Sequence, residues 1–546
     1  MSHALPKQSA DDARQINALT DAVAKELRRH AAPRLDPAGM AWIEQRPESL
    51  WPLLDAAVAA STAGRRDEAL VTACRWLLAN QLELIRYRVE RGHDWAGDML
   101  ESYQEKLVSL IRTAALPQAD WLELVKLLQV AKVPIRPEMA EAMALAAANA
   151  IPAPMSSPNA VPQQARVALD LLARSAEDPF VVVEALAEIG VLLPPEARAY
   201  LTHEMGLSSH TVLREAVPLL LLDPEITVRQ AAAAALEQVA VPPTFSPEML
   251  RRTLLIRNWV PEAERDAIDR VVRKARVKGV ACAQLAAAPA LVVQASMLDG
   301  SGAQALILTT PGTRAGLFAG LLLKQSFGIR DTWCDLSRPR RDINRSLKDS
   351  QREMTWRTVE RGFLNIVVQH YIGCGLKAGN LPQAAIVQIA EVTGAADWKD
   401  RGLDVAAETQ TLFATFDPRG QSRAAIAASL QRSGGWLARD RDVESWFEDD
   451  TAIRALVAQR PRPKPAELMQ RMLEEILPAR REKWAEKLLL TALWLRAAKA
   501  GTGALGRWQD CIVLAHELLA GRGLAELPAM ITLAERSLSA ARWGTF

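Results

Sequence analysis

An alanine-rich amphipathic segment, Leu221–Ala240, restricts the fold of this chain more than any other stretch. Asp223 can cap an incoming helix through its carboxylate, and Pro224 suits a first helical turn. Apolar residues then recur three and four apart on one face: Val228, Ala232, Ala235, Leu236 and Val239. Arg229 falls outside this face. Because Ala231–Ala235 makes the face thin, a neighbouring helix can approach closely, and the segment predicts one layer of a stacked helical array.

A partial second copy of the segment lies upstream. Asp178 precedes Asp223 by 45 residues, a period within the roughly 40–47 residues of HEAT and armadillo units. The residues Asp223, Val228, Arg229 and Ala232 resemble the D-x4-VR-x2-A pattern of HEAT repeats, whereas the upstream copy has Glu184 in place of the arginine. The resemblance covers about residues 175–240 and implies an α-solenoid that binds a partner. An ordinary α-helical domain with two similar helix starts is the alternative.

The rest of the chain is organised around this array. Ser208–Leu222 predicts an antiparallel partner helix that Pro218 kinks or shortens. We predict a mainly α protein, a HEAT-like α-solenoid of stacked helical hairpins with a small β-containing (α+β) insertion. The predicted regions are N-terminal helical hairpins (1–150), a proline-rich linker (151–164), HEAT-like repeats (165–290), the β-containing module (291–335), a helical segment with a basic stripe (336–400) and a tryptophan-rich C-terminal helical domain (401–546).

Two stretches of the insertion carry strand signals. Ala303–Thr309 is short, apolar and bounded by turn residues, which makes it the strongest strand candidate of the chain. Leu317–Leu323 is predicted to be either a second strand or a buried helix. Further on, six tryptophans punctuate the C-terminal region, and we expect them to fill its core: Trp436, Trp446, Trp484, Trp494, Trp508 and Trp543.

Composition limits the function classes. The chain has 66 Lys and Arg against 64 Asp and Glu, so it has no global bias towards polyanions. Its five cysteines show no C-x-x-C spacing, which favours a reducing, cytoplasmic compartment over a disulfide framework. No stretch approaches 18 uninterrupted apolar residues, so we expect no membrane span.

Two segments are locally basic. Residues 251–278 contain nine Lys and Arg against four Asp and Glu. A helix beginning near Asp342 would align cations at spacings of four, three and four, flanked by tryptophans that could stack on bases. The candidate binding residues are Arg338, Arg341, Arg345, Lys348, Arg352 and Trp356. A solvated, salt-bridged helix face is the alternative, since Asp342 and Asp349 can pair with the arginines.

Signals for catalysis are weak. His370 and Cys374 lie four residues apart on a predicted helix, a spacing that could bind a metal, yet no second ligand pair lies nearby in sequence. We interpret both as core residues and predict no metal and no cofactor. The sequence contains no G-x-S-x-G or H-E-x-x-H motif, and whether the chain is an enzyme stays open, with the balance against it.

The hypothesis that follows is a non-catalytic cytoplasmic scaffold that holds a protein partner on a helical-repeat surface. The alternative is a nucleic-acid-binding HEAT-like protein, acting through the basic helices 251–278 and 342–361. Neither the partner nor the oligomeric state follows from the sequence.

Overall fold

A computed structural model of the protein describes residues 10–543 except 30–32, 151–159, 191–192, 286, 288, 313, 396, 417–420, 437–442, 462 and 499–506. The chain forms two compact units. The first comprises Met1–Ala160 with Ala185–Pro194, and the second comprises Val161–Glu184 with Pro195–Phe546. Both are mainly helical, as predicted, and the second also contains a small antiparallel sheet.

The first unit consists of helices joined by short turns. They are α1 (Ala10–Arg28), α2 (Pro37–Glu44), α3 (Leu50–Thr62), α4 (Glu68–Glu90), α5 (Asp94–Arg112), α6 (Gln118–Val130) and α7 (Pro137–Ala150). Asp67 caps α4 by accepting hydrogen bonds from the amides of Ala69 and Leu70. The buried Asp120 carboxylate accepts hydrogen bonds from Arg66 and Arg75, at 2.9 and 2.7 Å. These two cations compensate for the loss of hydration of its negative charge.

The second unit begins with another helical series. It contains α8 (Ala160–Ser175), α9 (Pro179–Gly190, shared with the first unit), α10 (Pro195–Leu207), α11 (Thr211–Ala216), α12 (Ile226–Val239), α13 (Pro247–Ile256) and α14 (Glu262–Val277). Residues 151–159 of the predicted linker lie outside the described part, and 160–164 already belong to α8. As predicted, Pro218 shortens the preceding helix, because α11 ends at Ala216 and a 3-10 turn continues to Leu222.

The thin face of α12 packs as predicted against a close neighbour, although that neighbour is α10. A Cβ atom added to Gly206 of α10 would lie 2.6 Å from the Cβ atom of Ala235. Only small side chains permit this approach, and Ala232 and Ala235 are fully buried in it.

The expectation that Arg229 lies away from the buried face is wrong. Arg229 is 9% exposed, and its guanidinium donates to both oxygens of Glu264 and to the carbonyls of Asp223 and Pro224. A planar guanidinium with five donors can satisfy a carboxylate and a helix-entry turn together, which compensates for its burial. The arginine therefore fixes the turn before α12 to α14.

The sheet has five strands in the order β4-β3-β2-β1-β5, with every neighbouring pair antiparallel. The strands are β1 (Val292–Ser296), β2 (Ala303–Thr309), β3 (Ala315–Lys324), β4 (Gly328–Pro339) and β5 (Trp356–Val359). The strand predicted at Ala303–Thr309 is confirmed, and Leu317–Leu323 proves to be a strand within β3. The sheet reaches beyond the module predicted at 291–335, because β5 joins β1 after an intervening helix.

The helices around and after the sheet complete the second unit. They are α15 (Arg340–Glu353), α16 (Arg361–Lys377), α17 (Ala385–Thr393), α18 (Val405–Ala414), α19 (Arg423–Ser433), α20 (Thr451–Ala458), α21 (Pro465–Arg471), α22 (Arg481–Ala497), α23 (Trp508–Leu519) and α24 (Pro528–Trp543). Trp436, Trp446, Trp484 and Trp494 are buried, as predicted, and Trp508 is half-buried. The side chain of Trp543 lies outside the described part. In the described residues no helix is long and apolar enough to cross a bilayer.

The contact between α10 and α12 leads to a stability prediction. We expect Gly206→Ala to lower the free energy of unfolding by about 1–3 kcal/mol, because the added methyl group overlaps Ala235. Gly97→Ala within α5 is the matched control, since nothing lies within 4 Å of its added Cβ atom. Urea denaturation followed by circular dichroism measures both variants. Equal midpoints for the two would contradict the close helix contact.

Candidate functional site

The predicted basic helix exists and lies across one face of the sheet, but it is shorter than the predicted 342–361. It ends at Glu353, and Trp356–Val359 forms β5 instead of continuing the helix. α15 follows β4 without a loop and leads to β5, so that it connects the two edge strands. Its inward residues Ile343 and Leu347 form a small cluster with three side chains of the sheet face, Ile307, Phe318 and Trp356. This packing decides which side of α15 faces solvent.

The cations predicted to form a stripe point away from the sheet. At about 100° per residue, Arg341, Arg345, Lys348 and Arg352 fall within an arc of about 60° on the side of α15 opposite Ile343 and Leu347. Their side chains are exposed, with Arg341, Arg345 and Arg352 at 83, 73 and 79%. We call these four residues the cationic row. The row is about 16 Å long, at 1.5 Å of rise per residue.

Carboxylates pair only loosely with the cationic row. Asp342 lies 3.6 Å from Arg341 and 4.0 Å from Arg345, and Asp349 lies 3.2 Å from Arg352. Exposed pairs of this kind contribute about 0–1 kcal/mol and are screened by salt. An incoming anion can therefore replace them at little cost.

Two of the predicted binding residues have structural contacts instead. The indole of Trp356 belongs to the cluster under α15, and its Nε1 donates to the carbonyl of Ser350 at 3.1 Å. Arg338 lies on β4, half-buried, with its guanidinium 5.7 Å from the Phe318 ring and 3.8 Å from Asp335. The structure thus brings together four of the six predicted residues and places Trp356, half-buried, in the cluster beneath α15.

The other basic segment, 251–278, has more than half of its cations in ion pairs. Five of its nine cations pair with carboxylates from other elements or from the same segment: Arg251 and Arg252 with Glu391, Arg257 with Asp269, Arg265 with Asp400 and Arg270 with Glu237. The pairing with Asp269 raises the pKa of Arg257, and the pairing with Arg257 lowers that of Asp269. These arginines join helices, so the segment offers less free charge than its sequence suggests.

A second polar cluster lies on the opposite side of the sheet module. His370 and Cys374 of α16 meet Glu486 of α22, and one potential ligand atom from each lies within 4.8 Å of the others. The Nε2 atom of His370 is 2.9 Å from Glu486 and 3.6 Å from Cys374. Gln325 donates to the other oxygen of Glu486 at 3.0 Å.

The hydrogen bonds of His370 determine what this cluster can do. The backbone amide of Leu403 donates to Nδ1 at 3.1 Å, so the proton of the neutral ring lies on Nε2 and points to Glu486. Burial lowers the pKa of His370, but hydrogen bonds to Cys374 and Glu486 outweigh it and raise the pKa to about 9. Nε2 carries hydrogen in both protonation states, whereas Nδ1 can accept the Leu403 amide only in the neutral ring. Protonation of Nδ1, or a metal on Nε2, would each require loss of the Leu403 bond. The contacts therefore describe a hydrogen-bond network between α16 and α22.

Sequence reasoning missed Glu486 in the polar cluster, and Asn344 and Gln351 beside the cationic row. Glu486 is 112 residues from Cys374, and no local pattern marks it. Asn344 and Gln351 are exposed on α15 beside the cationic row, and helical spacing from Ile343 and Leu347 could have identified them. Among the described residues neither amide side chain has a hydrogen-bond partner.

Comparisons with known proteins identify two regions. Residues 194–279, which span α10 to α14, match the Y4lR second domain, and residues 406–542, which span α18 to α24, match the Y4lR C-terminal helical domain. The chain is 25% identical over 364 residues to the uncharacterized protein y4lR of Sinorhizobium fredii, covering 65% of this chain and 67% of that protein. No solved structure matches. The sheet and α15 lie between the two matched regions.

The His370–Glu486 contact leads to a pH prediction. Because the folded-state pKa of His370 is raised from 6.5 to about 9, the contact stabilises the fold fully below pH 6.5, and this stabilisation is lost as pH rises through 9. We expect Glu486→Gln to lower the free energy of unfolding by about 1–3 kcal/mol at pH 6 and by less at pH 9.5. Urea denaturation at both pH values measures the difference. The exposed Glu482→Gln on the same helix is the control, and a pH-independent loss in Glu486→Gln would contradict titration of His370 in this range.

Proposed function

We propose that this protein is a non-catalytic, cytoplasmic binding protein that holds nucleic acid on the exposed surface of α15. The observation that carries the proposal is the cationic row, four aligned cations on the outward side of a helix whose inward side is fixed to a sheet. A fixed row of this kind suits phosphates, because its position is set before the partner arrives.

The side chains around the row favour nucleic acid over protein at this surface. Among the described side chains of α15, the exposed ones are the four cations, Asn344, Gln351 and Asp349. None of these side chains is apolar, whereas protein interfaces usually have an apolar core. Phosphate binding needs cations and hydrogen-bond donors, which these side chains supply.

A charge-reversal experiment tests the proposal. We expect Arg341→Glu, Arg345→Glu and Arg352→Glu together to weaken binding of a 20-nucleotide single-stranded DNA by on the order of 10-fold or more. The triple variant should also reduce the slope of log Kd against log salt by about 2 to 3, because three phosphate contacts are lost. Fluorescence anisotropy between about 50 and 200 mM salt measures both quantities.

The control carries the same change in net charge at another exposed place. Lys399→Glu, Arg401→Glu and Arg423→Glu alter three exposed cations outside α15. If this control loses as much affinity as the α15 variant, binding depends on net charge and the assignment to α15 is wrong. If the wild-type protein binds no nucleic acid at low salt, the proposal fails.

A scaffold for a protein partner on the helical-repeat surface is the second candidate. Its support is the exposed apolar side chains of Val167 and Leu171, which are 56 and 61% exposed and lie one turn apart on α8. Exposed apolar pairs of this kind mark protein contacts more than nucleic-acid contacts.

Affinity purification with nuclease distinguishes the two candidates. For the scaffold we expect a stoichiometric protein partner that resists nuclease and is lost with Val167→Asp and Leu171→Asp. The triple charge-reversal variant of α15 is the matched control and should retain that partner. Loss of the partner in the α15 variant, with retention in the α8 variant, would place the protein contact on α15 instead.

A further inference from the structure

The surroundings of the cationic row differ between its two sides. On one side, at about 70–90° from the centre of the row, lie the amides Asn344 and Gln351, seven residues apart and both exposed. On the other side lie the carboxylates Asp342 and Asp349, also seven residues apart. A partner on the row therefore meets hydrogen-bonding amides on one flank and negative charge on the other.

We propose, on the basis of the function proposed above, that the cationic row of α15 binds a single strand of nucleic acid with its bases always on the same flank of the helix. The phosphates lie along the cationic row, and the bases turn towards Asn344 and Gln351.

Repulsion between phosphates and the carboxylates beside the row favours one strand of nucleic acid over two. A helix that lies in the groove of a duplex has phosphate backbones along both of its flanks, because the major groove is only about 12 Å wide. On α15 one of those backbones would run beside Asp342 and Asp349, and like charges this close repel. A single backbone on the row avoids this side. Single strands also leave the edges of their bases free for contact.

The amides supply the base contacts. Each carries a carbonyl acceptor and an NH2 donor, which is the pair that matches the edge of a base. Neither amide has a hydrogen-bond partner in the described part of the chain, and both are exposed, so base contact costs no internal bond. Trp356 takes no part, because it packs beneath α15. Base recognition at these two amides rests on hydrogen bonds.

Three probes of equal length test the proposal by fluorescence anisotropy at low salt: a mixed-sequence 20-nucleotide DNA strand, an abasic strand and the corresponding duplex. We expect the wild-type protein to bind the mixed-sequence strand at least fivefold more tightly than either of the others. The double variant Asn344→Ala and Gln351→Ala should lose this preference over the abasic strand and bind the abasic strand as the wild-type protein does. Asp342→Asn with Asp349→Asn should improve duplex binding more than single-strand binding.

The outcomes separate this inference from the proposed function. If no probe binds, the function proposed for the cationic row fails as well. If the abasic strand binds as tightly as the mixed-sequence strand, the row binds phosphate, and the base contacts of Asn344 and Gln351 are overturned. If the duplex binds more tightly than the single strand, the orientation across α15 is wrong. Circular dichroism of each variant checks that the helix is intact.

Discussion

The buried side chain of Lys487 anchors the sheet to the C-terminal helices. Lys487 of α22 is fully buried, and its Nζ atom donates to the carbonyl of Gly300, in the turn between β1 and β2, at 2.6 Å. The rings of Trp484 and Trp446 lie 4.3 and 5.8 Å from that nitrogen. A charge in such a place is costly unless polar and aromatic groups surround it. The turn has to meet the lysine closely, and a Cβ atom at Gly300 would lie 1.5 Å from the Ser445 carbonyl oxygen.

This anchor determines which face of the sheet is available. A further contact joins α22 to the sheet, since Trp494 donates to the Ala295 carbonyl at 3.0 Å. Glu486 of the same helix contacts His370 of α16. Residues such as Leu306 and Leu321, paired across β2 and β3, are buried on this side. With one face occupied by the C-terminal helices, α15 packs on the other. The apolar side of α15 packs on that other face, and the cationic row therefore points outward.

Local patterns predicted the elements but not the contacts between distant residues. The strand at Ala303–Thr309 and the cationic row depend on periods of two and 3.6 residues, which a sequence displays directly. The burial of Arg229 depends on Glu264 and on two carbonyls of a turn, and only the fold brings them together. The role of Trp356 could not be predicted from the local pattern either, because it depends on packing beneath α15. The sequence therefore suggested the basic face and could not decide which of its members face solvent.

The near-zero net charge of the chain carries less weight against nucleic acid than the sequence suggested. A net charge counts every carboxylate equally, yet the fold uses many of them internally. Glu264 and Glu391 are largely buried against Arg229, Arg251 and Arg252. Such pairs cancel at short range, and at physiological salt the Debye length is about 8 Å, so distant charges contribute little at α15. The potential over the cationic row is therefore set by its own cations and by Asp342 and Asp349 beside them.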